Sequence, residues 1–506
     1  MCDQSATIRF LERAAFAGPV TRIDTHAAIV FLEGERAWKM KRAVAYSFLD
    51  FTTLAAREAA LRAELRLNRR TAPQLYRRVV PVTRAPGGLA IDGAGEPVEW
   101  LLEMVRFPQE ALYSRLAEAG ALEPAMCDEL ADVVVAFHRS VEVRPDKGGA
   151  AGMTLVVEGN ATDLERLAGT VFDADEVAAV NRLSRAALAT GHERLERRRA
   201  AGSVRHCHGD LHLRNIVRLD GRPVLFDCIE FDEDYACIDV LYDLAFLLMD
   251  LSERGLPVQA QRVLQGYVER TGEGDGLALL PLFIGCRAVI RAKVEGFAAT
   301  AAADAARRAA QARLARDYLA LAGRALDPPQ ARLVAIGGRS GTGKSTLAAA
   351  LAPTLGPLPG AVVLRSDVIR KRLLGREPSE RLPEAAYTPE ISARVFANIA
   401  ERAGELLTAG HACIADAVYG RPEQRAGIEA VAARLGVPFT GLWLEAPEPL
   451  LEARVSARTG DASDADARVV RLQRGIDDEA VRWRRLRADR PMAALLDEAR
   501  AAIAGG

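Results

Sequence analysis

The sequence predicts an α+β domain of two lobes followed by an α/β domain with a parallel sheet, and three observations lead to this fold class. The chain has 506 residues, which is more than one compact core usually contains. Strand patterns prevail over residues 20–105, and helical patterns prevail over residues 106–326. After residue 332, apolar strands alternate with helices, a spacing typical of a parallel sheet covered by helices.

A proline pair gives the boundary between the two predicted domains. Pro328 and Pro329 follow a long alanine-rich stretch, about Ala288–Leu321, that has a helical pattern. Proline ends helices and stiffens linkers. The predicted boundaries are a first domain over residues 1–326 (N-lobe about 20–105, C-lobe about 106–326), a linker over 327–331 and a second domain over 332–506.

Composition and charge exclude several classes of protein. Hydrophobic residues make up 49% and charged residues 27% of the chain, values of a globular rather than a disordered protein. The net charge of −1 disfavours a generally basic surface for nucleic acid. The 7 cysteines include no C-x-x-C pair, which indicates reduced thiols in a cytoplasmic protein. We see no apolar run long enough for a signal peptide or a membrane span.

In the N-terminal lobe, the charged candidates lie on a strand and on a helix. Lys39 and Lys41 are two residues apart on their strand, so they share one face of it. Glu58 and Glu64 are polar residues of the helix that follows. The predicted elements are two hairpin strands, a helix and a further strand: Ile29–Leu32, Ala37–Lys41, Leu54–Arg70 and Glu99–Val105.

In the second domain, residues 338–345 read GRSGTGKS, which fits G-x-x-x-x-G-K-[ST] between a predicted strand and a predicted helix. Glycines let the backbone wrap a phosphate, and amide groups at the helix N-terminus face it. Lys344 would reach the β- and γ-phosphates of ATP, and the Ser345 hydroxyl would hold Mg²⁺. The residues predicted to bind ATP here are Gly338, Ser340, Gly341, Thr342, Gly343, Lys344, Ser345 and Thr346.

Further candidates follow the loop. Asp367 ends the next apolar strand, three residues before Arg370, so it can accept a hydroxyl proton or simply cap a helix. Asp416 ends a later strand, where it can hold a magnesium-bound water, contact substrate or lie in a turn. Arg454 and Arg458 share one helix face beside a mobile turn predicted over residues 459–464. This arrangement suits a lid over phosphates but also a plain exposed helix.

Residues 332–506 resemble the small P-loop kinases related to polynucleotide kinases, gluconate kinases and zeta-toxin kinases. The resemblance implies that Asp367 is the base for the acceptor hydroxyl and that Arg370 lies near the substrate. It also implies that Arg454 and Arg458 contact ATP. The acceptor stays open, because these kinases phosphorylate unrelated hydroxyl compounds.

A second constellation comprises HCHGDLHLRN over residues 206–215 and FD over residues 226–227, and two interpretations are open. His206, His208 and Asp210 resemble the start of a zinc-binding H-x-H-x-D-H motif, although the next histidine comes one place late. Alternatively, Asp210, Asn215 and Asp227 have the order and spacing of the base and the two magnesium ligands of a protein-kinase-like site. The second interpretation is the one we favour.

HGDLHxxN followed by an apolar strand and FD is the signature of the aminoglycoside phosphotransferase and choline-kinase-like family, which residues 20–320 resemble. The resemblance implies a bilobal protein-kinase-like fold. Asp210 would be the catalytic base, and Asn215 and Asp227 would hold magnesium. Asp243 would be a structural brace behind the site.

The same resemblance implies that a strand lysine pairs with a helix glutamate near the ATP phosphates. Lys39 is favoured over Lys41, and Glu64 over Glu58. The backbone at Met104 and Val105 would hold adenine. One departure from the family is the expected nucleotide-covering loop at residues 24–27, which contains no glycine.

The whole chain therefore resembles a fusion of a protein-kinase-like domain with a P-loop NTPase domain, using ATP and Mg²⁺ to phosphorylate small-molecule hydroxyl acceptors. Two alternatives stay open: a single active P-loop kinase with a regulatory or substrate-binding N-terminal domain, and a 5′-hydroxyl polynucleotide or toxin-like kinase. The near-zero net charge disfavours nucleic acid. An acidic segment is compatible with a polycationic acceptor or a solvated turn: Glu230, Asp232, Glu233 and Asp234.

Overall fold

The computed structural model describes residues 3–46, 49–377, 380–457, 463–475 and 481–505. The chain forms two compact units, Met1–Val156 with His192–Asp250 and Val157–Gly191 with Leu251–Gly506. The predicted fold class is confirmed, because a kinase-like α+β part precedes an α/β part with a parallel sheet. The boundary at residues 327–331 stays a prediction, and the second unit contains helices on both sides of it.

Strands occur in both units. They are β1 (Val20–Asp24), β2 (Ala28–Glu33), β3 (Arg36–Lys41), β4 (Ala45–Tyr46), β5 (Leu49–Asp50), β6 (Tyr76–Ala85), β7 (Gly88–Ile91), β8 (Glu96–Val105), β9 (Val204–His206), β10 (Ile216–Leu219), β11 (Arg222–Leu225), β12 (Cys237–Asp239), β13 (Leu333–Gly338), β14 (Val362–Arg365), β15 (Cys413–Asp416), β16 (Phe439–Glu445) and β17 (Arg484–Arg487).

The α-helices are α1 (Ser5–Arg13), α2 (Leu54–Asn68), α3 (Tyr113–Glu118), α4 (Pro124–Ser140), α5 (Gly149–Leu167), α6 (Ala174–Ala200), α7 (Glu233–Ala236), α8 (Val240–Glu253), α9 (Pro257–Thr271), α10 (Leu280–Ala301), α11 (Ala305–Leu326), α12 (Lys344–Leu351), α13 (Ser366–Leu373), α14 (Pro389–Thr408), α15 (Pro422–Leu435), α16 (Glu448–Ser456), α17 (Ala467–Leu472) and α18 (Met492–Ala504).

The first unit contains a six-stranded antiparallel sheet in the order β1-β2-β3-β8-β6-β7. Strand β3 decides where the two lysines point. Trp38 packs into the apolar cluster on one face of the sheet, while Ala37 packs with Leu61 of α2 on the other face. Because side chains alternate along a strand, Lys39 and Lys41 project towards α2.

The second unit contains a five-stranded sheet in the order β14-β15-β13-β16-β17, and its four pairings are parallel. The central strand β13 is buried along its whole length, which explains its unbroken apolar sequence. Ile336 of β13 is in register with Asp416 of β15. The carboxyl ends of these two strands therefore meet at one edge of the sheet, where ligands bind in open α/β folds.

The alanine-rich stretch predicted as helical over about Ala288–Leu321 is helical except for a short break. Two helices, α10 and α11, pack against each other and are separated by residues 302–304. The Asp304 carboxylate accepts a 2.7 Å hydrogen bond from the backbone N–H of Arg307 and so caps α11. In an alanine-rich sequence, a single aspartate gave too weak a signal for this break.

Helix α9 covers the edge strand β14 of the parallel sheet. Gln265 Nε2 donates to the carbonyl of Val363 at 2.8 Å, and its Oε1 accepts from the N–H of Val363 at 2.8 Å. Gln261 Nε2 donates to the carbonyl of Ala361 at 3.0 Å. These side chains satisfy backbone groups that an edge strand would otherwise expose.

Among the residues that the structure describes, every helix is too short or too polar to cross a membrane. Buried free thiols are present at Cys127, Cys207, Cys228, Cys237, Cys286 and Cys413.

Candidate active sites

In the first unit, the loop that follows β9 is held from behind by Asp243 at the start of α8. Asp243 Oδ1 accepts from the N–H of Gly209 at 2.8 Å, and Oδ2 accepts from the N–H of His208 at 3.1 Å. His138 Nε2 lies 3.1 Å from the same Oδ2. Asp243 is fully buried, and these hydrogen-bond donors offset the cost of removing its carboxylate from water. The carboxylate thereby fixes the backbone directly before Asp210.

Asp210 and Asn215 face each other across this loop. Asn215 Nδ2 donates to Asp210 Oδ2 at 2.8 Å and to the Asp210 carbonyl at 3.0 Å. His212 Nε2 lies 3.3 Å from Asp210 Oδ2. Because the amide nitrogen of Asn215 is directed at Asp210, its amide oxygen is left for a different partner. An amide oxygen is a ligand that suits Mg²⁺.

Asp227 follows β11 with a backbone φ of 62°, a strained conformation for a non-glycine residue. Its N–H donates to the hydroxyl of Tyr76 at 3.0 Å, and the N–H of Cys228 donates to Asn68 Oδ1 at 2.9 Å. Strand β6 and the end of α2 thus hold this backbone. The sequence analysis missed Tyr76 and Asn68, since they are distant along the chain.

Lys39 joins Asp227 to Glu64. Its Nζ lies 2.5 Å from Asp227 Oδ1 and 2.6 Å from Glu64 Oε1. Burial lowers the pKa of Lys39, but the carboxylates of Asp227 and Glu64 raise it further, to a net value well above that of an ordinary lysine. Burial likewise raises the pKa of Asp227, and Lys39 more than reverses this, so Asp227 stays ionised.

The alternative candidates have different partners. Lys41 Nζ lies 2.7 Å from Glu64 Oε2 and 2.5 Å from Glu230 Oε1. Glu58 pairs with Arg62 at 2.8 Å on the outer side of α2, so it does not meet either lysine. Glu230 was a candidate only for an acidic turn, and its pairing with Lys41 has no signal in the local sequence.

Met104 and Val105 lie at the end of β8, between β3 and β6. The N–H of Val105 donates to the carbonyl of Leu75, just before β6, at 2.8 Å, so this donor already has a backbone partner. Beyond the strand, the rings of Phe107 and Phe226 meet edge to face with centroids 5.2 Å apart. These aromatic rings join the partly buried apolar surface beside Val105.

The acidic segment is largely neutralised. Glu233 pairs with Arg144 at 3.0 Å, and Asp234 pairs with Lys147 at 2.7 Å. The Asp232 side chain accepts from the N–H of Asp234 and caps α7. Little uncompensated negative charge is left for a polycationic molecule.

The zinc interpretation finds no support in the geometry. His208 Nε2 lies 2.9 Å from the carbonyl oxygen of Phe226, and among the described residues His206, His208 and Asp210 do not form a group close enough to hold a metal. Among the described residues, the three side chains that come close enough for a metal are His138, Cys207 and Asp243, all buried. Asp243 already accepts three hydrogen bonds there, so this cluster is structural.

In the second unit, the loop after β13 has the backbone that its glycines permit. Gly338, Gly341 and Gly343 have φ values of 130°, 85° and 90°. A Cβ on Gly338 would lie 2.5 Å from the carbonyl oxygen of Leu444, whereas one on Gly343 would meet no atom within 4 Å. The loop therefore packs tightly on one side and is open at Gly343, as a phosphate cradle requires.

The remaining predicted ligands surround this opening. Lys344 Nζ donates to the carbonyl of Arg339 at 2.9 Å, and Thr342 Oγ1 donates to the same carbonyl at 2.8 Å. Ser340 is largely buried, and exposed Thr346 lies in the first turn of α12. These positions surround the N-terminus of α12, where the helix dipole favours an anion.

Ser345 and Asp416 connect the loop to the neighbouring strand. Ser345 Oγ donates to Asp416 Oδ2 at 2.6 Å, and Arg365 Nε lies 3.8 Å from the same oxygen. Burial raises the pKa of Asp416, while Lys344 and Arg365 act in the opposite direction without cancelling the rise. A hydroxyl and a carboxylate at this place form a donor set that fits Mg²⁺.

Asp367 lies in the first turn of α13, and Arg370 follows one turn later. Arg370 is buried, donates to the carbonyl of Ala386 at 3.0 Å and stacks on Tyr387 at 4.7 Å. Burial lowers the pKa of Arg370, and Asp367 is the first charge that opposes this. Besides burial, Asp367 also raises the pKa of Asp416, so its charge acts on both Arg370 and Asp416.

Arg454 on α16 faces the phosphate loop. Its Nη2 donates to the carbonyl of Ala488 at 2.9 Å, and its Nη1 lies 3.5 Å from the carbonyl of Gly341. Arg458 lies outside the described residues.

The segment 463–475, which we call the lid segment, contacts both sides of this site. Asp464 accepts from Tyr387 Oη at 2.8 Å, and Lys371 Nζ lies 3.3 Å from it. Gln473 Oε1 accepts from the N–H of Ser340 at 2.7 Å. The mobile turn predicted over residues 459–464 lies mostly outside the described residues, and the sequence analysis missed both Asp464 and Gln473 as contact residues.

The fold and the two sites define a class of protein: a kinase-like phosphotransferase domain joined to a P-loop domain. The model of the phosphotransferase enzyme family matches residues 46–280, and the model of the AAA domain matches residues 333–476. Both resemblances predicted from the sequence are confirmed.

Relatives extend over nearly the whole chain. Uncharacterized proteins of Mycobacterium tuberculosis and Mycobacterium bovis are each 31% identical over 462 residues, which is 88% of this chain and 88% of theirs. The chain belongs to one family with these mycobacterial proteins.

Solved structures resemble the two halves separately. A choline/ethanolamine kinase family protein from Mesorhizobium loti is 15% identical, with 62% of this chain and 97% of that chain covered and a TM-score of 0.37. A gluconokinase from Sinorhizobium meliloti is 22% identical, with 35% and 93% covered and a TM-score of 0.25.

Proposed function

We propose that the protein is an ATP- and Mg²⁺-dependent phosphotransferase with two nucleotide sites, each of which phosphorylates a hydroxyl group of a small molecule. One observation carries the proposal. In each half of the chain, a lysine that could bind phosphate lies near oxygen atoms that suit magnesium. These are Lys39 near Asp227 in the first half, and Lys344 near Asp416, which Ser345 contacts, in the second.

In the N-terminal site, Asp210 accepts the proton of the acceptor hydroxyl, and the oxygens of Asn215 and Asp227 hold magnesium. The bound metal supplies neutralisation of phosphate charge. Lys39 leaves Asp227 for the ATP phosphates and keeps its contact with Glu64. The aromatic surface formed by Phe107 and Phe226 suits the adenine ring.

In the P-loop site, the amides around Gly343 and the ammonium group of Lys344 bind the phosphates. Ser345 and Asp416 hold magnesium, directly or through water. Asp367 accepts the proton of the acceptor hydroxyl, and Arg454 contacts ATP. Positioning and electrostatic stabilisation account for most of the acceleration in such reactions, so few side chains need to react.

The acceptors are hydroxyl compounds without multiple positive charges. The pairing of Glu233 with Arg144 and of Asp234 with Lys147 supports this, because within the described segment 230–234 it leaves little uncompensated negative charge for an aminoglycoside-like polycation. An uncharged or anionic hydroxyl compound fits this electrostatic environment better.

The test is ADP release with Mg²⁺-ATP over a panel of sugars, nucleosides, aminoglycosides and a 5′-hydroxyl oligonucleotide. The parent is compared with Asp210→Ala and Lys344→Ala, and with Asp497→Ala and Lys293→Ala as controls away from both sites. We expect each of the two site variants to lower the rate of ADP release by about 10²-fold or more, with a different acceptor affected in each. Loss of all turnover in Lys344→Ala and of none in Asp210→Ala would show one active site. Turnover of the oligonucleotide alone would favour the polynucleotide kinase alternative.

A further inference from the structure

Two ion pairs connect β3 to the segment that begins at Asp227. Lys39 contacts Asp227 at 2.5 Å, and Lys41 contacts Glu230 at 2.5 Å. Glu64 lies between the lysines, with Oε1 2.6 Å from Lys39 Nζ and Oε2 2.7 Å from Lys41 Nζ. The result is a row of five alternating charges, which we call the charge row: Asp227, Lys39, Glu64, Lys41 and Glu230.

The two ends of the charge row differ in exposure. The side chains of Asp227 and Lys39 are 40% and 12% exposed. Those of Lys41 and Glu230 are only 4% and 6% exposed, and that of Glu64 is 0% exposed. A nucleotide and a metal can therefore reach the first end, whereas the second end is closed to them.

Buried charges of this kind are costly unless each one has a partner. Lys41 has a carboxylate oxygen on either side and lies over the ring of Phe51, with 5.4 Å from Nζ to the ring centroid. A surface lysine or a solvated acidic turn would show neither the burial nor the pairing. The second end of the charge row is therefore built into the core beside the site.

We propose that Lys41 and Glu230 are positioning residues that hold Glu64 and thereby aim Lys39 at the nucleotide phosphates. The proposal rests on the proposed function of the N-terminal site. When Asp227 binds a metal, Lys39 loses that partner and only Glu64 restrains it. Lys41 keeps Oε2 of Glu64 occupied, so Oε1 stays directed at Lys39. Glu230 fixes Lys41 and at the same time tethers the segment that begins at Asp227.

The test measures binding of Mg²⁺-ATP and of adenosine to the full chain in a Lys344→Ala background, which weakens the P-loop site. The variants are Lys41→Met, Glu230→Gln and the two combined, with Lys39→Met for comparison and Lys293→Met as a matched control. Lys293 pairs with Asp163 at 2.9 Å in the other unit, so the control removes a similar ion pair away from the site.

We expect Lys41→Met and Glu230→Gln each to weaken Mg²⁺-ATP binding by about 10- to 100-fold, as second-sphere changes do, with little effect on adenosine. Lys39→Met should show the same selective loss. The double variant should lose no more than either single one, because the two residues act through one contact. Lys293→Met should bind both ligands like the parent.

A purely structural role predicts a different result. Equal weakening of Mg²⁺-ATP and adenosine, or no weakening, overturns the positioning role while leaving the proposed function intact. No nucleotide binding by the Lys344→Ala parent overturns the function of the N-terminal site, and the positioning role with it. If a single variant does not fold, Lys41→Met/Glu230→Met removes both charges of the pair and must show the same selective loss.

Discussion

Gln265 on α9 and Val363 on β14 are joined by two hydrogen bonds of 2.8 Å, in which the side-chain amide of Gln265 pairs with the N–H and the carbonyl of Val363. Strand β14 leads directly into α13, which carries Asp367. A helix from before the proline pair therefore supports the strand that positions the candidate base of the P-loop site.

Replacing Gln265→Leu leaves both backbone groups of Val363 without this partner. We expect the free energy of unfolding to fall by about 1–3 kcal/mol, the range for a buried polar group left unsatisfied. Urea unfolding of the full chain measures it. The exposed Gln330→Leu is the control, with an expected change within about 0.5 kcal/mol. Equal stability of Gln265→Leu and the parent would show that the contact is not stabilising.

Ser345→Ala and Asp416→Asn test the metal ligands of the P-loop site. We expect each to raise the Mg²⁺ concentration for half-maximal ADP release by about 10- to 100-fold, because each removes an oxygen that holds the metal or its water. The assay uses an Asp210→Ala background, so that only this site contributes. Exposed Ser140→Ala is the matched control in the other unit. An unchanged magnesium requirement in both variants counts against this assignment.

Asp464→Ala tests whether the contacts of Asp464 hold the lid segment in place. The change removes an acceptor from Tyr387, Lys371 and the N–H of Leu382, so residues 463–475 should open more often. We expect trypsin to cut after Arg468, Arg471 or Arg474 about 10- to 150-fold faster, since one charge-assisted hydrogen bond contributes about 1.5–3 kcal/mol. Exposed Asp497→Ala should leave the cleavage rate unchanged. An unchanged cleavage rate in Asp464→Ala would show that Asp464 does not hold the lid segment in place.

His411 gives the second unit a defined pH dependence. Burial lowers its pKa to about 4, although its Nε2 lies 2.9 Å from the carbonyl of Gly360. An unfolded histidine titrates near pH 6.5, so between about pH 6.5 and 4 the unfolded chain binds a proton that the folded chain does not. Stability therefore falls as the pH falls through this window, by about 3 kcal/mol in total.

Urea unfolding at pH 8, 6, 5 and 4 measures this contribution. We expect His411→Gln to be less stable than the parent at pH 8, because packing is lost, but to lose less stability between pH 6.5 and 4. Exposed His192→Gln should keep the slope of the parent. Identical slopes for His411→Gln and the parent would assign the acid sensitivity to other groups.

Local sequence predicted the parts of the sites that local chemistry dictates. The loop at residues 338–345 was predictable because only glycine adopts the positive φ values there without strain. The alternation of a strand placed Lys39 and Lys41 on one face, and the family resemblance then favoured Lys39 and Glu64, which are in contact. The roles of these residues in catalysis stay predictions until activity is measured.

Contacts between distant segments could not be predicted in this way. Glu230 meets Lys41 across 189 residues, and Gln265 meets Val363 across 98 residues, with no motif around any of them. The break between α10 and α11 depends on a single capping aspartate, and helix propensity cannot place it. Asp464 looked like part of a polar turn, yet its side chain is only 9% exposed because Lys371 and Tyr387 surround it.

The most direct test of the central claim is the stoichiometry of Mg²⁺-ATP binding, measured by isothermal titration calorimetry on the full chain with no acceptor present. We predict two nucleotides per parent chain, one per chain in Lys344→Ala and one in Lys39→Met, with no high-affinity binding in the double variant. A single nucleotide per parent chain, lost in Lys344→Ala and retained in Lys39→Met, would contradict the account of two phosphotransfer sites.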